Sequence, residues 1–292
     1  MNPEGFLKYL REDKGLSAGS AKAYEGDVRH FADFAKASAP ADFACVTQSD
    51  IYRYISSLRE ENMSQSTITR RLASVRALFT WLVKEGICRE NPAEGIRLTA
   101  PEKRQPEYLT LEEVEKLLDA PDDSPLGIRD RAMLEILYGT GIGVGELVDV
   151  DVDDINLKMG ILTCGRGSRE RIVPLGRHAR KALEDYIYEV RSPRLTKDSR
   201  EEALFINRDG GRISRQGVWK LLRKYGQKAE LDKEITPNIL RNSFAIHMIS
   251  NGADIKTLRD LMGQETIAAV QSYLESSRPR IKDVYDKTHP RA

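Results

Sequence analysis

Apolar residues recur at helical spacing along most of the chain, and the breaks between those runs divide it. Tyr24, Val28, Phe31 and Phe34 mark one face of a helix that Ser17 or Ser20 is suited to cap. Gln48 to Arg59 reads as a second helix, with Ile51, Tyr54, Ile55 and Leu58 inward. From Ser64 to Lys84, Leu72, Val75, Leu78, Phe79 and Leu82 form a stripe whose opposite side carries hydroxyls together with Arg70, Arg71 and Arg76. Helices of this kind make residues 1–95 an all-α portion.

Periodicity then fails. From Asn91 to Pro106 the run is aperiodic and punctuated by Pro92, Pro101 and Pro106, with Arg97, Lys103 and Arg104 among them. Residues 96–106 therefore read as an extended basic linker. Thr110-Leu111-Glu112-Glu113 is a capping box that starts a new helix. A further helix, with Ile128, Ala132, Leu134, Ile136 and Leu137 on its buried face, leads to a turn at Gly143. Strands are expected at Asp154 to Cys164 and Arg171 to Pro174, which puts Gly165-Arg166-Gly167-Ser168 at a hairpin tip. Ser214 is placed to cap a helix that exposes Arg215 and Gln216 and turns Trp219 and Leu222 to the core. The expected fold is mainly α with a small β-sheet, an all-α domain followed by an α+β domain over residues 107–292.

Composition narrows the class. The 292 residues suit about two domains, each large enough for its own core. Three cysteines, Cys45, Cys88 and Cys164, are widely spaced and odd in number, which argues against a disulfide framework or a zinc site. The N-terminus has no basic stretch leading into an apolar run, and no apolar segment approaches about 20 residues. A soluble, cytoplasmic protein without a membrane partner is expected, and no metal or cofactor is called for. The net charge is only +1, so the distribution of the basic residues matters more than their sum.

The candidate chemistry lies near the C-terminus. Arg241 follows Asn238 by three residues, so on a helix both project from nearly the same face. A guanidinium suits the non-bridging oxygens of a phosphodiester. Tyr273, within the amphipathic run Ala268 to Leu274, offers a phenol as nucleophile. Taken singly, a core tyrosine and a surface ion-paired arginine are the commoner uses of these residues.

Together these blocks resemble the tyrosine recombinases of the Xer and phage-integrase kind, over essentially the whole chain. The family's T-G-[LI]-R-x-S-E-L block is similar to Thr140-Gly141-Ile142-Gly143-Val144-Gly145-Glu146-Leu147. Its hairpin G-K-G-x-K-x-R block is similar to Gly165-Arg166-Gly167-Ser168-Arg169-Glu170-Arg171, followed by Ile172-Val173-Pro174-Leu175. Its H-x-x-R block stands as Asn238-Ile239-Leu240-Arg241, and L-G-H stands as Met262-Gly263-Gln264, with Tyr273 nine residues on. The resemblance implies a core-binding domain followed by a catalytic-type domain that cleaves DNA through a 3′-phosphotyrosine. It also implies a C-terminal tail, around Pro279 to Tyr285, that docks on a neighbouring protomer.

Of the six residues the family gathers around the scissile phosphate, Arg241 and Tyr273 match by identity. Gly143 stands for the first arginine, Arg166 for the hairpin lysine, Asn238 and Gln264 for the histidines. Loss of a preorganised cation at 143 carries a rate penalty of about 10²–10³. A guanidinium is a poor proton donor to a leaving 5′-oxygen, and neither amide exchanges protons near neutral pH, where lost acid–base assistance is worth about 10²–10⁴. Such losses do not add. Arg129, Arg131, Arg169 and Arg171 are candidates to supply the missing cation, although Arg129 and Arg131 more naturally pair with acids such as Asp130 or Glu135.

Three readings follow. The first is a DNA-binding family member with impaired or lost cleavage, acting as an architectural, regulatory or accessory factor. The second is an active site-specific recombinase using Tyr273, on its own or with a partner recombinase. The third is an interaction scaffold without DNA. Duplex DNA is the expected partner, met by Arg70, Arg71, Arg76, Lys103, Arg104, Arg169, Arg171, Ser214, Arg215 and Gln216 through phosphate and base-edge contacts, with homo-oligomers forming on DNA through the tail. An ordinary solvated helix face or basic hairpin carries much of the same pattern. Retention of so many arginines weighs against the scaffold, and Gly143 weighs most against the active enzyme.

Overall fold

The computed structural model describes residues 4–16, 18–99, 105–194 and 201–277. The chain divides into two compact units, residues 1–103 and 104–292. Each has its own apolar core.

In the first unit, helices α1 (Glu4–Glu12), α2 (Ala18–Ala35), α3 (Gln48–Glu60) and α4 (Gln65–Lys84) enclose an aromatic centre. Phe31 meets Tyr54 edge-on with ring centroids 5.0 Å apart, and Phe79 at 6.1 Å. The caps are local: Thr47 and Asp50 exchange hydrogen bonds at the start of α3, and the Ser64 hydroxyl accepts the Thr67 N–H at the start of α4. Phe34, expected inward, is 39% exposed and lies at the rim against Tyr54, because α2 turns that position past the edge of its neighbours. The core reaches beyond residue 95: Ile96 is buried, and Arg76 donates from Nε to the Ala93 carbonyl and from Nη2 to that of Ile96.

The second unit opens with α5 (Leu111–Asp119), capped reciprocally by Thr110 and Glu113, and α6 (Pro125–Thr140). Short α7 (Val144–Asp149) leads into a three-stranded antiparallel sheet of order β1 (Ile155–Asn156), β2 (Ile161–Cys164) and β3 (Arg171–Pro174). Leu162 and Val173, paired across β2 and β3, point into the core. The strand expected from Asp154 to Cys164 is broken. Asn156 accepts the Met159 N–H with its side chain and Gly160 takes a left-handed φ, so the chain folds back and the segment makes two strands of a hairpin.

Helix α8 (Arg177–Asp185) passes through a π-helical turn, Tyr186–Arg191, into the single turn α9 (Ser192–Arg194). Next come α10 (Arg215–Lys228), α11 (Pro237–Ser250), α12 (Ile255–Met262) and α13 (Ala268–Ser277). Leu222 of α10 is buried as expected, but Trp219 is 40% exposed: Val218, Leu221, Leu222 and Tyr225 define the inward face, and position 219 falls outside it. A separate apolar cluster of Phe244, Ala245, Leu258, Met262 and Val270 joins α11, α12 and α13, and Tyr273 packs against it.

Candidate active site

Helix α6 ends where Gly141 adopts φ 64°, and α7 begins two residues later with Gly143 as its N-cap. Gly141 is required on two counts. The left-handed backbone excludes most side chains, and a Cβ there would come within 2.6 Å of Phe244 Cε1. The Gly143 N–H donates to Glu146 Oε2 at 2.8 Å. Gly143 itself has an ordinary φ of −75°, and a Cβ would meet only Glu146 Oε2 at 3.6 Å and Arg241 Nη1 at 3.9 Å, so this backbone accepts a side chain.

Glu146 is the hub of the site. Arg171, from the foot of the hairpin, grips it with both terminal nitrogens, Nη2 to Oε2 at 3.1 Å, and gives its Nε to the Leu261 carbonyl at 2.8 Å. Burial pushes the Glu146 carboxyl up, but the Arg171 hydrogen bonds, the Gly143 N–H and the charges of Arg171 and Arg241 together bring it below its usual value. Arg241, one turn after Asn238 on α11, donates from Nη1 to the Gly141 carbonyl at 2.7 Å and from Nη2 to the Met262 carbonyl at 2.6 Å. Its side chain is 14% exposed and 3.8 Å from Glu146. The guanidinium is thus fixed by the ends of two helices. Gly263, with φ 62°, ends α12 and leaves room for Arg171, whose Nη1 a Cβ would meet at 2.6 Å.

Gly143, Glu146, Arg241, Met262 and Gly263 border an open cleft of about 670 Å³. Of the six expected catalytic positions, Gly143, Arg166, Arg241 and Gln264 line it. Asn238 and Tyr273 do not. Asn238 is exposed in the first turn of α11. Tyr273 is half-buried on α13; burial raises its phenol pKa, and the nearby charge of Arg241 opposes part of that rise. Arg166 sits at the hairpin tip with its side chain 73% exposed, reaching the Asp149 carbonyl at 3.3 Å and Asp151 at 3.5 Å, contacts long enough to yield to a better partner.

All four arginines that are candidates for the vacancy at 143 have partners of their own. Arg129 donates to Asp130 and to the Ile206 carbonyl, and Arg131 to the Pro121 carbonyl and Asp123. Arg169 lines the cleft but pairs with Glu265 at 2.6 Å. Arg171, expected to face DNA, is instead the clamp on Glu146, because its side chain is only 12% exposed and its donors are used.

The other expected DNA contacts divide similarly. Arg76 serves the first unit's core rather than a free basic face. Arg70 and Arg71 converge on buried Asp27, and Arg71 also meets His30 Nε2 at 3.0 Å, which leaves Arg70 half-exposed and Arg71 nearly covered. Ser214 caps α10 by accepting the Gly217 N–H at 3.1 Å, while Arg215 and Gln216 are exposed in the first turn. Lys103, Arg104 and the tail from Pro279 lie outside the described residues.

Two features escaped the sequence reading. Glu146 was present in the first block without a role; a carboxylate in a block otherwise tied to phosphate is the signal that could have found it. Arg212 carries no local signal, since its partners, the Val148 carbonyl at 2.8 Å and Asp151, come from residues about 60 positions earlier. Four arginines line the cleft beside five carboxylates, Glu146, Asp149, Asp151, Asp154 and Glu170. Arg171 and Arg212 neutralise two of those acids from behind. Among the described residues no group of three or more His, Cys, Asp or Glu is arranged to hold a metal, and no helix is long and apolar enough to cross a membrane.

A helical unit followed by an α+β unit with this cleft defines the tyrosine-recombinase class. The phage integrase family model matches residues 107–280, and that of the phage integrase N-terminal SAM-like domain matches residues 4–86. The chain belongs to the phage integrase family and is a Xer-like tyrosine recombinase by descent. It is 38% identical over 291 residues to the tyrosine recombinase XerD of Oceanobacillus iheyensis, covering 99% of this chain and 98% of that one. It is 41% identical over 295 residues to XerD of Listeria monocytogenes, with the same coverage. The fold matches the Tn1549 transposon integrase in complex with a circular-intermediate DNA, at TM-score 0.74 and 19% identity over 99% of this chain and 98% of that. It also matches the XerH recombinase bound to a palindromic difH substrate, at TM-score 0.75 and 17% identity over 97% and 83%.

Proposed function

We propose that the chain is a site-specific recombinase acting on double-stranded DNA, in which Tyr273 attacks a phosphodiester held by Arg241, at a rate lowered by the substituted positions. The phenol oxygen bonds to phosphorus as its proton leaves, and the bond to the 5′-oxygen breaks, giving a 3′-phosphotyrosine and a 5′-hydroxyl that takes up a proton. This places the active enzyme ahead of the impaired DNA-binding factor favoured on the sequence alone. The observation that carries it is the Arg241 guanidinium, fixed by the Gly141 and Met262 carbonyls at the edge of the cleft. Full-length likeness to chains named as recombinases supports the same reading.

Arg241 neutralises charge on the phosphorane; Arg166, exposed at the hairpin tip and held only by long contacts to Asp149 and Asp151, adds a second cation; Gln264 donates to a non-bridging oxygen. Proton transfer is the weak step, since neither Asn238 nor Gln264 titrates. That same feature favours the second reading, a family member that binds DNA without cutting it. A nicked suicide duplex chosen by selection from random fragments separates the two. A covalent adduct that forms with the unmodified chain and is abolished by Tyr273→Phe supports the recombinase; salt-sensitive binding with no adduct leaves the accessory factor. Cooperative assembly through the tail and action with a partner recombinase belong to the same proposal, and removing residues after Ser277 should weaken cooperativity on DNA.

A further inference from the structure

The block that begins the site departs from the family twice, at Gly143 where an arginine is expected and at Gly145 where a serine is expected. The two changes have a common geometric partner. Arg215, the first residue of α10, lays its guanidinium directly against the bare Cα of Gly145: a Cβ there would lie 2.7 Å from Nη2, 3.1 Å from Cζ and 3.4 Å from Nε. A serine at 145 would therefore evict the guanidinium. Arg215 borders the same cleft as Gly143 and Arg241. It also differs from its neighbours in being uncommitted. Arg171 is held by Glu146, Arg169 by Glu265, and Arg166 reaches Asp151, whereas among the described residues Arg215 forms no hydrogen bond or ion pair.

We infer that Arg215 takes over the phosphate contact that Gly143 has lost, its guanidinium entering the cleft through the space that Gly145 opens, so that Arg215 and Arg241 share one phosphate. This rests on the proposed function and names a further cation for it, beside Arg241 and Arg166. The cation then comes from the start of α10, some 70 positions later in the chain. A guanidinium arriving from there keeps the fork geometry that suits two non-bridging oxygens.

The test uses the full chain with duplexes selected from a random pool, in which single phosphates are replaced in turn by neutral methylphosphonate. For each position, the affinity lost by the replacement is compared in the unmodified chain, in Arg215→Ala and in Arg241→Ala. One position should matter to the unmodified chain but not to either variant, which identifies a phosphate touched by both arginines. Gly145→Ser, with Arg215 intact, should behave like Arg215→Ala. Both positions have ordinary backbone geometry, and thermal unfolding of each variant checks that it folds. If cleavage occurs, Arg215→Ala should slow single-turnover adduct formation on saturating DNA by about 10²–10³, the usual loss for one preorganised donor. Gly143→Arg should restore it in both variants. Coupling of Arg215 to a different phosphate from Arg241, or to none, overturns the inference. A shared phosphate without adduct formation refutes the proposed cleavage and leaves the inference standing; failure to bind any duplex removes both.

Discussion

Replacing Glu146 with glutamine tests how the site is held together. Glu146 is a quarter exposed, Arg171 and Arg241 are 12% and 14% exposed, and both guanidinia face its carboxylate. Glu146→Gln keeps the shape but leaves two buried cations without a counter-charge. Breaking a fully buried pair from one side costs about 3–5 kcal/mol; water reaching the exposed quarter of Glu146 reduces this to about 2–4 kcal/mol near neutral pH. The folded-state pKa of Glu146 lies below its ordinary 4.5. A carboxylate depressed in this way contributes stability above the unfolded value and loses it as the pH falls through the folded value. The difference between the two proteins should therefore be largest near neutral pH and shrink as the pH drops below 4.5. Urea unfolding followed by Trp219 fluorescence in a Trp81→Phe background reports the second unit alone, since Trp81 belongs to the first unit's core. A difference that is the same in acid and at neutrality, or one below about 0.5 kcal/mol throughout, would show that the carboxylate is not the hub of the site.

Further outcomes follow from particular contacts. Gly141→Ala forces a left-handed alanine onto Phe244 and should cost about 2–5 kcal/mol, read by thermal unfolding, with Arg241 losing its carbonyl anchor as a consequence. Leu222→Ala should cost about 2–5 kcal/mol, whereas Trp219→Ala, on the exposed side of the same helix, should cost about 1 kcal/mol. Duplex binding should weaken steeply with salt, and Arg166→Ala should reduce the logarithmic salt slope by about 1, as measured by fluorescence anisotropy; an unchanged slope would mean that the hairpin tip meets no phosphate.

Much of the layout was legible because it is written in local rules. Thr110 and Ser214 are caps whose partners lie three residues away, so sequence spacing alone identifies them. The helical stripes, the sheet at β2 and β3, and the turn into Gly143 are local in the same sense. Trp219 and Phe34 were misjudged because a helical period fixes which residues share a face but not how wide a stripe the neighbours cover. The long strand failed at Asn156 to Gly160, where one side-chain hydrogen bond and one left-handed residue outweigh strand propensity.

The order of the four blocks, the all-α portion ahead of them and the residues missing at 143, 238 and 264 are enough to assign the class without coordinates. Tertiary structure alone decided which arginines are free to meet a phosphate. Arg171 and Arg215 look alike as residues in basic segments, yet one is closed around Glu146 and the other lies against Gly145 without a polar partner among the described residues. A guanidinium's role is set by the carboxylates and carbonyls within about 3 Å of it, and those come from positions tens of residues away. No local spacing records that distance.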